Sequence, residues 1–236
     1  MRPMIVLAGG FGTRLQSVLN DIPKPLAPVL DKPFIIYLLE HWIQNGFTKF
    51  IFLLHYKADL VLDTILKFED NCEHNITIEF VKESSPLGTG GSILNAINEL
   101  QINYSFLVCN ADTWLGDGLR KLSTSKPNSL LSIKVKNTNR FGSLIFEGSL
   151  IKNFMEKSNS NGQGYISSGN YHLEPSIFEG FSCGTSFSLE EAVFPKIVKE
   201  KKLRALKLQT SFIDIGIPSD YNRFCEWISN NKTTKL

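Results

Sequence analysis

The chain has 236 residues, 42% of them hydrophobic, with 25 basic and 23 acidic side chains and a formal charge of +2. That length and apolar content suffice for one sizeable core, and the near-neutral charge excludes the broad basic field that would draw nucleic acid or an anionic membrane. No apolar run reaches a membrane span, the N-terminal one stops at Gly9, too short for a signal peptide, and Cys72, Cys109, Cys183 and Cys225 are scattered without a C-x-x-C pair, so a soluble cytoplasmic protein with reduced thiols is expected.

Met4–Leu7 reads as a buried strand. Ile35, Leu38, Leu39, Trp42 and Ile43 mark one face of a helix that Gly46 stops, and Phe50–His55 is a second strand. Ala58, Val61, Leu62, Ile65 and Leu66 mark a second helix, Ile76–Val81 a third strand, Ile93, Leu94, Ile97 and Leu100 a third helix, and Ser105–Cys109 a fourth strand. This β-α-β-α order predicts a single Rossmann-like α/β domain with a mostly parallel central sheet and helices on both faces. After Asp112 the rhythm changes. Leu130–Val135, Ser143–Phe146, Leu150–Met155 and Tyr165–Leu173 are short strand-like runs separated by turn residues, which suggests a small added antiparallel lobe. Ser188-Leu189-Glu190-Glu191 fits a capping box, with Pro195 requiring a kink or a late helix start. Leu203–Leu208 and Phe212–Ile215 read as returning strands, and Pro218 opens a last helix. The expected domain spans 1–229, its two parts meeting near residue 115, with 230–236 a frayed tail.

The stretch "AGGFGTRL" (8–15) follows the first strand, at the sheet edge where α/β proteins bind ligands. Gly10 and Gly12 begin a dinucleotide fingerprint, but its third glycine falls on Leu15, which disfavours a Rossmann oxidoreductase. A P-loop fails too, because the nearest lysine, Lys24, lies well downstream. Bare amides beside Arg14 still suit a phosphate. Lys24, held between Pro23 and Pro25, has a restricted backbone, which helps fix where its ammonium points. Asp214 sits inside the apolar "FIDIGI", where an unpaired carboxylate is costly and calls for a cation or several donors.

"LAGGFGTRL…PKP" resembles the signature of the sugar-phosphate nucleotidylyltransferases, and the likeness continues in order through "PLGTGG" (86–91), "CNADT" (109–113), "RFG" (140–142), "MEKS" (155–158) and "FIDIGIPSDY" (212–221). The length and "PLGTGG" look most like the D-glycero-D-manno-heptose 1-phosphate guanylyltransferases. The resemblance implies transfer of a nucleoside monophosphate from a nucleoside triphosphate to a sugar 1-phosphate, with release of pyrophosphate, for a surface polysaccharide. GTP and the heptose 1-phosphate are the expected substrates. Uridylyl, cytidylyl or mannose-1-phosphate guanylyl transfer, or a catalytically silent sugar-nucleotide sensor, are the alternatives. Neither nucleic acid nor a membrane is expected as a partner, and a homo-oligomer is left open.

The resemblance also implies roles, with nucleotide binding to about residue 115 and sugar binding from there to 229. Arg14 and Lys24 are the expected catalytic residues, clamping the triphosphate and reaching the α-phosphate. Leu7, Ala8, Gly9, Gly10, Gly12, Thr13, Pro86, Leu87, Gly88, Thr89 and Asn110 are expected around the nucleotide, with Leu7 and Leu87 flanking the base and the glycines of 88–91 allowing close approach. Gly142, Glu156, Lys157, Ser167 and Asn170 are expected around the sugar, and Asp112 and Asp214 on Mg²⁺. The family has an asparagine-glycine-glycine run where this chain has Ser167-Ser168-Gly169. Asn170 is the nearest substitute, on the opposite strand parity. Ser85 stands where many relatives carry an acidic or amide residue, which leaves Glu83 as the nearest carboxylate for guanine N1 and N2.

Overall fold

The structure is a computed structural model that describes residues 2–19, 21–155 and 162–233. In chain order it comprises β1 (Met4–Leu7), a 3-10 turn (Thr13–Leu15) leading into α1 (Gln16–Leu19), a 3-10 turn (Lys24–Leu26), β2 (Pro28–Val29), β3 (Lys32–Pro33), α2 (Phe34–Gln44), β4 (Lys49–Leu54), α3 (Ala58–Asp70), β5 (Thr77–Lys82), α4 (Gly88–Glu99), β6 (Phe106–Asn110), β7 (Thr113–Leu115) and α5 (Leu119–Ser123). There follow β8 (Ser129–Val135), β9 (Ser143–Glu147), β10 (Leu150–Met155), β11 (Gly164–Leu173), a 3-10 turn (Pro175–Phe178), a π turn (Leu189–Val193), α6 (Phe194–Lys199), β12 (Arg204–Leu208), β13 (Phe212–Asp214) and α7 (Pro218–Thr233).

Nine strands form one sheet in the order β5-β4-β1-β6-β11-β8-β12-β10-β9. β5, β4, β1 and β6 run parallel, as the alternation with helices requires. β11 enters antiparallel between β6 and β8, β12 lies parallel to β8, and β10 and β9 complete an antiparallel edge. The added antiparallel strands therefore prolong the central sheet. β13 pairs with β7 in a separate two-stranded ribbon that sets Asp214 opposite Thr113.

The parallel strands read as continuous apolar runs because both faces are covered. Met4, Val6, Phe50, Phe52, Leu107 and Cys109 face one core with the apolar sides of α2, α3 and α7. Ile5, Ile51, Leu53, Phe106 and Val108 face the other, with α4 and α6. Phe224 of α7 is fully buried, its ring 4.8 Å from that of Phe34. That anchor carries α7 through Thr233, so residues 230–233 are helical rather than frayed, and the Asn231 side chain donates back to the Trp227 carbonyl at 2.7 Å. The expected Ser188 cap forms, its hydroxyl accepting the Glu191 N–H at 3.2 Å. Pro195 then sits in the first turn of α6, where its missing N–H costs nothing, and the π turn precedes it.

Candidate active site

The carboxyl ends of β1, β4 and β6 converge. The Ala8 N–H bonds the Leu53 carbonyl at 3.0 Å and the Ala111 N–H bonds that of Leu7 at 3.1 Å, so the loops after the strands share one rim. Beneath it lies a cleft of about 350 Å³. Leu7, Ala8, Gly9, Gly10, Pro86, Gly88, Thr89 and Asn110 of the expected nucleotide set line it, together with Lys24 and Asp112.

Each glycine of the first loop has its own reason. A Cβ on Gly9 would press on His55 at 3.2 Å, and one on Gly12, at φ +66°, would meet the Lys24 Cγ at 2.7 Å. A Cβ on Gly10 would meet nothing within 4 Å, so the space beside it is open. The lysine stem thus lies across Gly12, and its Nζ reaches Asp112 Oδ2 at 2.9 Å. Thr13 and Arg14 are exposed on the following turn, outside the cleft lining. The chain turns at Gly12 to let Lys24 pass, which carries both side chains away from the wall.

Asp112 and Asp214 come from the β6–β7 junction and the end of β13, tied by the Ile215 N–H on the Asp112 carbonyl at 3.0 Å. Asp214 Oδ1 accepts the Gly216 N–H at 2.7 Å and Oδ2 lies 3.5 Å from Arg140. Burial, then the charge of Asp112, push the Asp214 carboxyl up, against the pull of the Gly216 N–H, Lys24 and Arg140. Arg140 in turn donates to Asp220, which also pairs with Arg223 at 3.2 Å. Two neighbouring hard-oxygen carboxylates whose charges oppose each other are a fitting donor set for a divalent cation that draws its other ligands from phosphate and water. Among the described residues no group of three His, Cys, Asp or Glu side chains gathers as a cage.

The second glycine run corrects one expectation. Cβ atoms on Gly88, Gly90 and Gly91 would meet Phe187 O at 2.7 Å, the Phe187 ring at 2.4 Å and Thr185 O at 2.3 Å. These glycines admit the chain's own 185–189 segment. Leu87 is buried beneath that segment and gives its N–H to Glu83 at 3.0 Å, so it does not flank the cleft and Pro86 stands there instead. Glu83 lines the cleft and is 8% exposed, its other oxygen accepting the Ser92 hydroxyl. The Gly90 and Gly91 N–H groups are taken by the Phe187 carbonyl, whereas those of Gly88 and Thr89 have no partner among the described residues.

The expected sugar residues are less closely gathered. Gly142, at φ +71°, ends the turn before β9 with its N–H on Thr138 O at 3.1 Å. β11 bulges between Ser167 and Tyr171, which resets the parity expected of Asn170. Asn170 is 4% exposed and its amide donates to Ser168. Gly169, at φ +73°, abuts Asn110, where a Cβ would come within 2.4 Å of its Nδ2. Glu156 and Lys157 lie outside the described residues.

The family model for nucleotidyl transferases matches residues 3–230. The chain belongs to that family. Among the relatives of this nucleotidyl transferase, the D-glycero-alpha-D-manno-heptose 1-phosphate guanylyltransferase of Campylobacter jejuni is 36% identical over 222 residues, 93% of this chain and 97% of that one. The mannose-1-phosphate guanyltransferase of Schizosaccharomyces pombe is 30% identical over 92% of this chain and 61% of its own. The crystal structure of HddC from Yersinia pseudotuberculosis complexed with GMP-PN superposes with a TM-score of 0.81 at 35% identity, covering 97% of this chain and all of that one. Sequence reasoning had passed over Phe11, Ser92 and Arg140 in this nucleotidyl transferase. Arg140 carried a signal, since it opens the "RFG" motif. Phe11 and Ser92 carried none, because an exposed phenylalanine and a helical serine look ordinary until the strands bring them to one rim.

Proposed function

We propose that this chain transfers GMP from GTP to a sugar 1-phosphate, D-glycero-D-manno-heptose 1-phosphate, releasing pyrophosphate in the cytoplasm. One observation carries the choice of base. The unpaired Gly88 and Thr89 N–H groups sit beside the buried Glu83 carboxylate on one cleft wall. Guanine offers O6 to donors and both N1–H and N2–H to an acceptor. Adenine reverses the first two positions, and uracil presents a single N–H. A site that hydrogen-bonds a base edge rejects a base that leaves its buried groups unpaired. The guanylyl activity in the names of both relatives, and GMP-PN in the HddC complex, support the same base.

In the reaction an acceptor phosphate oxygen forms a bond to the α-phosphorus as the bond to the bridging oxygen of pyrophosphate breaks. Both partners are anions, so the protein aligns them and neutralises charge. Lys24, moving from Asp112 to the α-phosphate, is the ammonium placed for this, with Arg14 closing on the triphosphate from the exposed turn. Asp112 and Asp214 would hold Mg²⁺, which when bound supplies Lewis-acid charge neutralisation at the phosphates. Glu156 and Lys157 are assigned to the sugar hydroxyls and its phosphate by resemblance alone.

Pyrophosphate release from four nucleoside triphosphates against a panel of sugar 1-phosphates tests the reading. GTP is expected to exceed UTP, CTP and ATP in kcat/KM by at least about tenfold, or roughly 1.4 kcal/mol. Preference for another nucleotide overturns the guanylyl assignment. A mannose 1-phosphate acceptor is the second reading, favoured by the fission-yeast relative, and the same panel separates it.

A further inference from the structure

The segment that enters the second glycine run does more than fill space. The Phe187 N–H donates to Leu87 O at 3.0 Å, and its carbonyl accepts the Gly90 and Gly91 N–H groups at 2.9 and 3.2 Å. The Thr89 hydroxyl is held on both sides, accepting the Leu189 N–H at 2.8 Å and donating to Glu190 Oε2 at 3.0 Å. Glu190 takes two more hydroxyls, Ser188 at 3.1 Å on the same oxygen and Tyr171 at 2.8 Å on the other. Tyr171 is 2% exposed, and burial, then the Glu190 charge, push its phenol up, so it stays a donor. A carboxylate bonded to three hydroxyls from three segments has no rotational freedom left, and neither has the threonine it holds. Glu190 does not line the cleft, whereas Thr89 does.

We propose that Glu190 is a positioning residue for the base of the donor: acting through Thr89, it sets the unpaired N–H groups at the start of α4 against the 6-oxo group of the purine. This rests on the reading that the wall between Glu83 and α4 holds guanine. The consequence is a specificity role for a side chain that touches no substrate. Losing the clamp weakens recognition of any 6-oxo purine and leaves recognition of the 2-amino group, which falls to Glu83, as it was.

The experiment compares GTP, ITP and ATP as donors, with the sugar 1-phosphate that the wild type accepts, in Thr89→Val, Thr89→Ser, Glu190→Gln and Tyr171→Phe, with thermal melts as a folding control. Thr89→Val and Glu190→Gln are expected to lower kcat/KM for GTP and ITP alike, by roughly tenfold. The GTP/ITP ratio and the KM for sugar 1-phosphate should hold, and GTP/ATP discrimination should fall. Thr89→Ser should restore the wild-type values, and Tyr171→Phe should show the same pattern more weakly. An unchanged GTP KM in Thr89→Val, or a parallel rise of both substrates' KM in variants that melt normally, overturns the proposal. Where Glu190→Gln fails to fold, Thr89→Val and Tyr171→Phe decide it. A wild type that does not prefer GTP overturns the guanine reading and this one together. A wild type that prefers GTP, with discrimination intact in Thr89→Val, overturns this one alone.

Discussion

The two glycine-rich stretches look alike as sequence and differ in space. In Gly9-Gly10-Phe11-Gly12 the missing side chains leave one open position, at Gly10, and one channel for the Lys24 stem, at Gly12. In Gly88-Thr89-Gly90-Gly91 all three glycines are filled by residues 185–187 of the same chain. The first run leaves part of the cleft wall open and makes room for the lysine beside it. The second makes room for the protein. A glycine shows only that something comes close, and what comes close is decided by the rest of the fold.

The contrast can be broken by substitution. The largest effect belongs to the lysine lying across the first run. Lys24→Ala should lower kcat by roughly 10²-fold or more, the scale of one lost preorganised charge, with no drop in melting temperature. Asp214→Asn should match it in steady-state kinetics at saturating Mg²⁺, and near-wild-type turnover in either would remove that residue from the chemistry. Gly90→Ala should act in the opposite manner. Its methyl lands on the Phe187 ring, and such overpacking costs about 1–3 kcal/mol, visible in denaturant titration. If Gly90→Ala melts like the wild type, the second run is not a packing site.

Gly10→Ala comes next. Its stability should stay within about 0.5 kcal/mol of the wild type, with the change confined to a few-fold rise in the KM for GTP. A clear loss of stability would show that the first run is packed as well. The mildest probe is pH, which acts on neither run. His172 is buried and His41 half-buried, and removal from water holds both imidazoles below the usual histidine range, His172 with help from Arg2. Since the folded value lies below the unfolded one, their contribution is complete above about pH 6.5 and is lost as the pH falls and the unfolded chain takes up protons that the folded chain refuses. His172→Gln should flatten the fall in melting temperature between pH 8 and pH 5. An unchanged slope would place the acid sensitivity elsewhere.

Much of this was legible in the residues. The apolar runs of β1, β4 and β6, each feeding two cores by alternation, need no partner to be read, and Asp214 was conspicuous as a carboxylate inside "FIDIGI". What stayed hidden depends on distant pairing. Nothing near Gly90 announces Phe187, and nothing in "YISSGNYHL" shows the bulge that turns Asn170 inward to Ser168. Leu87 has the look of a base-flanking residue until Glu83 is seen holding its N–H. The end of α7 was misjudged because polar residues 230–233 suggest fraying, whereas a helix whose earlier turns are anchored by Phe224 continues as far as its backbone bonds allow.

The pairing of β13 with β7 has a consequence for synthesis. Asp214 stands opposite Thr113, about a hundred residues earlier in the chain, and long-range pairing of this kind forms late. As a polypeptide leaves the ribosome, β1, β4, β5 and β6 can assemble once residue 110 is clear, and Lys24 can meet Asp112 two residues later. The second carboxylate arrives only once β13 has been made, about a hundred residues later. A nascent chain can thus pair β1, β4, β5 and β6 well before its second carboxylate arrives, so the carboxylate pair proposed to hold a cation is completed only after the strands beneath the cleft.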